Sequence, residues 1–303
     1  MPELIFSRDH LPLGAQRRIE RAADAGVLTR VRRGAYVETA QWDRLAPDAR
    51  HRVLVHATAA MARHPFVAAY LSAGAMQHLP TIGDWPGRVH VVDVNQRGGR
   101  SSSGIVRHST SVVPDCTEID GIMVTSAART VADIARSSTL DRAVVAADAA
   151  LRRGMLSRDD LRHQIDLLGS GPGCRQAAFV CDFADAGSAN GGESLARLLM
   201  RKLGFASPRL QTHFTDEHGS MFVDFFWPEL GLVVEFDGFQ KYSGPEYLRG
   251  RVPAEVVWEE KRREDRLRAL GLRVLRIVWS DLTTPGALAH ILATAGVPRR
   301  VRP

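Results

Sequence analysis

The chain has 303 residues, 45% hydrophobic and 24% charged, with a formal net charge of +6 and three cysteines. This is the composition of a globular protein with room for two or three domains. It offers no apolar run long enough to span a bilayer and no basic-then-apolar leader, so a cytoplasmic protein with no membrane partner is expected.

Cys116, Cys174 and Cys181 form no CxxC pair and have no clustered histidines, which argues against a structural zinc site or a disulfide framework. The positive charge is uneven: residues 241–303 carry thirteen Lys and Arg against seven Asp and Glu. DNA is a partner that suits such an excess, and a solvated arginine-rich surface is the alternative.

In chain order, Ser7 can cap a short helix, and the stretch from Gly14 to Ala25 predicts a second, closed by Gly26. Val27 to Val37 then reads as a β-hairpin turning at Gly34, with Arg30, Arg32 and Arg33 on it. Helices followed by a basic hairpin suggest a winged helix-turn-helix whose arginines contact DNA phosphates or the minor groove. The spacing admits equally a small helical cap with an arginine-rich hairpin.

From Gly26 to Val37 the string GVLTRVRRGAYV resembles the N-terminal winged-helix domain of AbiEi-type antitoxins, over about residues 1–45. That resemblance implies operator binding and autorepression, with a cognate toxin and, as for many winged-helix regulators, a second copy of the chain as partners.

Residues 46–168 predict helices over 51–62 and 66–79, a strand over 88–94, and a flexible loop over 97–104. Further helices are predicted through Arg136, from Leu140 to Arg153, and after a capping box at Ser157 and Asp160. This order resembles the middle α/β region of AbiEi-like proteins. His78 and His90 read as structural residues. Gly169 to Gly173 marks a hinge, so 169–190 is expected to be a linker and 191–303 a separate domain.

The final third is the most informative. Asp224 lies in the apolar run Val223–Asp224–Phe225, and Glu235 and Asp237 lie in Val233–Val234–Glu235–Phe236–Asp237. Side chains alternate along a strand, so Val233, Glu235 and Asp237 share one face. Carboxylates there need a cation or hydrogen-bond donors, and an all-oxygen set suits Mg²⁺ or Mn²⁺. Strand-end solvation or pairing with arginine is the plainer explanation of each acid alone.

Glu193 stands in the first turn of a leucine-striped helix, favoured by the helix dipole or aimed at the site. A helix over 254–270 follows the acidic strands, and counting back from Leu267 places Glu264, Arg263 and Glu260 toward the sheet. A strand is predicted over 273–279.

Glu193, the run VDFFWPELGLVVEFDG (223–238), Lys241–Tyr242 and EKRREDRLRALGLRVLRIVWSDL (260–282) together resemble PD-(D/E)XK nuclease-fold domains related to very-short-patch-repair (Vsr) endonucleases. The overall expectation is a multi-domain α/β protein: a winged helix, an α/β middle region and a restriction-endonuclease-like core. The resemblance implies Mg²⁺ held by Asp224, Glu235 and Asp237, and phosphodiester hydrolysis in DNA repair or phage defence.

In the general pattern a lysine follows Glu235 by two residues; Asp237 stands there instead. Vsr-like domains also lack that lysine, and the zinc-binding cysteines of true Vsr enzymes are absent here. Lys241 or Lys261 could supply the charge, with Glu193 orienting the shell and Arg262, Arg263 and Arg266 holding the backbone. The alternative is a non-enzymatic AbiEi-type antitoxin or repressor with a degenerate nuclease fold.

Overall fold

The computed structural model describes residues 1–7, 14–93, 101, 104–110, 112–238 and 253–300. The chain divides between Ala184 and Asp185 into two units. It is a mixed α/β protein built on three sheets.

The first unit begins with β1 (Ile5–Phe6), α1 (Ala15–Asp24), β2 (Leu28–Arg32) and β3 (Ala35–Glu38), which form an antiparallel sheet of order β1-β3-β2. Gly34 adopts φ 80°, the left-handed conformation that the tight return from β2 to β3 requires and that glycine takes without a Cβ penalty. The short helix predicted after Ser7 falls largely outside the described residues.

Next come α2 (Thr39–Asp43), α3 (Pro47–Met61), β4 (Val67–Ala68), α4 (Tyr70–Met76), β5 (Val89–Asp93), β6 (Ile105–Ser109), β7 (Cys116–Ile119) and β8 (Ile122–Thr125). Their five-stranded sheet has the order β6-β5-β4-β8-β7. The single apolar helix expected over 66–79 is split: Val67 and Ala68 pair with Val92 and Val91, and Tyr70 at φ 53° starts the helix anew. Small apolar residues there fill a central strand as readily as a helix.

Helices α5 (Ala127–Ser137), α6 (Leu140–Arg152), α7 (Arg158–Leu167) and α8 (Cys174–Phe183) complete this unit. Ser157 and Asp160 form the expected capping box of α7. The stretch expected to be a linker contains α8, which buries Ala177, Val180 and Cys181. Its glycine-rich approach hides it in the sequence: Gly173, at φ 77°, packs so closely on the Arg136 carbonyl that a Cβ would lie 1.9 Å from the oxygen.

The second unit runs α9 (Gly191–Lys202), β9 (Arg209–Asp216), β10 (Gly219–Trp227), β11 (Leu232–Asp237), α10 (Pro253–Ala269), β12 (Arg273–Val278), α11 (Trp279–Thr283) and α12 (Ala287–Thr294). The sheet order is β12-β11-β10-β9, with β11 and β12 parallel and the other pairs antiparallel. Parallel neighbours need a crossover, and α10 provides it.

Two apolar layers sandwich this sheet. Leu232, Val234, Phe236, Phe225, Trp227 and Ile277 pack on the side of α9, α11 and α12. Met221, Val223 and Val233 pack on Leu267 of α10. The alternation read from β11 therefore places Glu235 and Asp237 beneath α10, beside Val233.

Candidate active site

Strand β10 changes face at the acid. Met221 and Val223 belong to the α10 layer, whereas Phe225 and Trp227 belong to the opposite one. Residues two apart cannot change sides in a regular strand, so the alternation breaks at Asp224. The neighbouring strand breaks at the same level: Gln211 of β9, at φ 44°, would pair with Asp224, but the ladder passes from Thr212–Val223 directly to Leu210–Phe225. A non-glycine residue held left-handed within a strand is costly, and such strain gathers at functional sites.

Side chains complete what the backbone omits. The Phe236 N–H donates to Asp224 Oδ2 at 2.8 Å, just beyond the last β10–β11 pair, Phe225–Val234. The Gln211 amide stands 3.3 Å from both Asp224 Oδ1 and Glu193 Oε2, and its two N–H groups can serve both carboxylates.

Glu193 is buried at the start of α9. The Ala189 N–H donates to its Oε2 at 2.7 Å and Asn190 Nδ2 to its Oε1 at 2.6 Å. The sharp entry into α9 depends on Gly192, where a Cβ would meet the Phe236 ring at 2.0 Å. Glu193 is thus coupled to Asp224 through Gln211 and does not line the cavity described next.

Asp224, Glu235, Phe236, Asp237, Glu260, Arg263 and Arg276 enclose a cavity of about 280 Å³. Arg263 Nη1 donates to Glu235 Oε2 at 2.8 Å and lies 2.7 Å from Oε1; its Nη2 reaches the Phe222 carbonyl. Arg276 stands beside Glu235 in the parallel register and approaches Glu260 at 3.1 Å, Glu264 at 3.4 Å and Asp237 at 3.6 Å. Burial pushes the Glu235 carboxyl up, with Arg263 opposing the shift and Asp224 adding to it.

Four carboxylates against two guanidiniums leave the described lining two positive charges short. Asp237 Oδ1 is buried with no hydrogen-bond partner among the described residues. An oxygen-only set with that charge fits a hard divalent cation, and Asp224, Glu235 and Asp237 would hold it. In the arrangement seen, no three His, Cys, Asp or Glu side chains among the described residues converge on one ion position. Arg263 stands against Glu235 instead.

The other predicted site residues are spread out. Lys261 and Arg262 are exposed on α10, and neither lines the cavity. Arg266 makes a bidentate contact with Asp216, its Nε at 2.7 Å from Oδ2, and also donates to the Gly219 carbonyl. It braces the β9–β10 hairpin, and its hydrogen bond holds the Asp216 carboxyl down to about 2. Lys241 lies outside the described residues.

In the first unit Arg30 and Arg33 are exposed, whereas Arg32 turns inward to donate to Thr58 Oγ1 at 2.7 Å. Sequence reasoning passed over Gln211 and Arg276. Arg276 carried a signal, a charge inside the apolar strand RVLRIV; Gln211 gains its place only from the break in strand pairing.

No family model matches the chain. It is 30% identical over 207 residues to "Uncharacterized protein Rv2248" of Mycobacterium tuberculosis (strain ATCC 25618 / H37Rv), a match covering 68% of this chain and 72% of that protein. It belongs to the same family. "Uncharacterized protein MT2308" of strain CDC 1551 / Oshkosh matches over the same 207 residues at the same identity. Among solved structures, the RV2827C protein from Mycobacterium tuberculosis aligns with TM-score 0.37 and 13% identity over 71% of this chain and 84% of that one. That likeness is too loose to bear on fold or function. No helix among the described residues is long and apolar enough to cross a membrane.

Proposed function

We propose that residues 191–303 form a Mg²⁺- or Mn²⁺-dependent phosphodiesterase with a restriction-endonuclease-like core, linked to a winged-helix DNA-binding region at residues 1–45 through an AbiEi-like middle region. The observation that carries the reading is the cavity under α10: three acids from two adjacent strands, a surplus of negative charge, and a buried carboxylate oxygen with no partner among the described residues. A cation held by Asp224, Glu235 and Asp237 would polarise the phosphoryl group and acidify a water molecule.

The protein's own residues do the rest. Gln211 and the Phe236 N–H orient Asp224, and Glu193 fixes Gln211 from behind. Arg276, in register with Glu235, places next to Asp237 the positive charge that the missing lysine would have brought. Exposed Arg30 and Arg33 are suited to contact phosphates, while Arg32 supports the hairpin that presents them. The pairing of a DNA reader with a nuclease suits DNA repair or phage defence in the cytoplasm.

A non-enzymatic regulator, with a cognate toxin or a second copy as partner, is the other reading. It is favoured by the Arg263–Glu235 pair, which already neutralises the central acid. Incubating plasmid, linear and single-stranded DNA with Mg²⁺ or Mn²⁺ separates the two. The nuclease reading predicts cleavage by wild type that is lost in both Asp224→Ala and Glu235→Ala. Tight DNA binding with no cleavage of any of these substrates would reject it in favour of the regulator.

A further inference from the structure

One guanidinium nitrogen occupies the centre of the site. Arg263 Nη1 stands 2.7 and 2.8 Å from the two oxygens of Glu235, the place a chelated cation would take. The other end of the guanidinium grips the Phe222 carbonyl. The Arg263 side chain is 36% exposed while Glu235 is only 12% exposed, so the arginine can swing out to solvent and the carboxylate cannot follow. Arg276, by contrast, is held among three carboxylates, Glu260, Glu264 and Asp237.

We propose, resting on the nuclease reading above, that Arg263 is an internal placeholder for the divalent cation and that the DNA backbone releases it. With no nucleic acid present, Arg263 occupies the inner side of Glu235 and keeps the site weak for metal. A phosphodiester entering over α10 offers the guanidinium a bidentate anionic partner of the geometry arginine prefers. Arg263 then leaves Glu235, whose two oxygens become available beside Asp224 and beside Asp237 Oδ1, which has no hydrogen-bond partner among the described residues. Metal and DNA therefore bind with positive coupling: each raises the affinity for the other by the same factor. The protein avoids carrying an armed metal site when no substrate is bound.

Coupling is measured on the full-length protein by titration calorimetry with Mn²⁺, alone and with a short phosphorothioate oligonucleotide that resists cleavage. For wild type, the oligonucleotide is expected to tighten Mn²⁺ binding about tenfold or more. Arg263→Gln removes the placeholder, so Mn²⁺ binds about tenfold tighter without DNA and the oligonucleotide adds little. Arg263→Lys, which retains charge but loses the planar fork, falls between them and guards against a folding defect in the glutamine variant. Equal Mn²⁺ affinity in wild type with and without oligonucleotide, unchanged in Arg263→Gln, would overturn the placeholder while leaving a metal site intact. No Mn²⁺ binding by any of the three proteins, with or without oligonucleotide, would overturn the metal-dependent reading and the placeholder with it.

Discussion

Each unit holds an arginine–carboxylate pair, and the two pairs differ in what surrounds them. Arg129 and Asp133 of α5 are 2% and 3% exposed, joined at 3.0 and 3.1 Å, with Arg129 also bonded to Thr110. Arg263 and Glu235 bridge a helix and a strand across a cavity that contains more acid than base. A fully buried pair of one base and one acid serves the fold. A pair that can open beside uncompensated charge is available for binding. Proximity of opposite charges distinguishes neither; the cavity and the charge balance around them do.

The largest effect is expected from mutating the closed pair. Arg129→Met leaves Asp133 buried without its hydrogen-bonded guanidinium, and is expected to cost about 3–5 kcal/mol in chemical denaturation. Arg129→Met with Asp133→Leu should recover most of that loss, because both desolvation penalties disappear together. Recovery by the double variant no better than the single would show that the pair contributes more than its own balance.

Gly192→Ala tests the scaffold of the open site. Its new methyl must displace the Phe236 ring, and a loss of about 1–3 kcal/mol is expected in the same denaturation experiment. An unaffected midpoint would mean that the start of α9 can shift without consequence. Arg263→Gln should lower stability by only about 1 kcal/mol, since its partly exposed head exchanges Glu235 for water. A loss as large as that of Arg129→Met would make the second pair structural too.

The pH dependence is subtler and has opposite signs at two carboxylates, Asp133 and Asp216. Burial pushes Asp133 up from 3.8 to about 6, with Arg129 opposing. Its stabilising contribution is therefore complete below 3.8 and lost as the pH rises through about 6, a slope that Asp133→Asn should remove. Asp216, held down from 3.8 to about 2 by Arg266, contributes above 3.8 and loses that contribution as the pH falls to about 2. Arg266→Gln should flatten that acid limb alone. Denaturation midpoints across both windows check the pair of signs, and the same direction of slope in both would contradict the assignments.

Patterns local to one element were legible in the sequence. The alternation in β11 set Glu235 and Asp237 on one face, and helical spacing from Leu267 turned Glu260, Arg263 and Glu264 toward Glu235 and Arg276. What depended on distant partners was not legible. Arg263 sits in a helix crowded with charge, yet it reaches Glu235, 28 residues away in sequence. Arg32 resembles its neighbours on the hairpin until Thr58 of α3 supplies an inward partner. Strand β9 escaped notice because RLQTHFTD mixes polar and apolar residues without a clear period, and with it went Gln211.

Crystals of the full-length protein grown with a cleavage-resistant oligonucleotide and Mn²⁺ test most directly whether a cation is held between Asp224, Glu235 and Asp237. The predicted result is a single anomalous peak bounded by those three carboxylates, with Arg263 moved from Glu235 onto a phosphate. Bound oligonucleotide at saturating Mn²⁺, with no peak in the cavity and Arg263 still on Glu235, would contradict it.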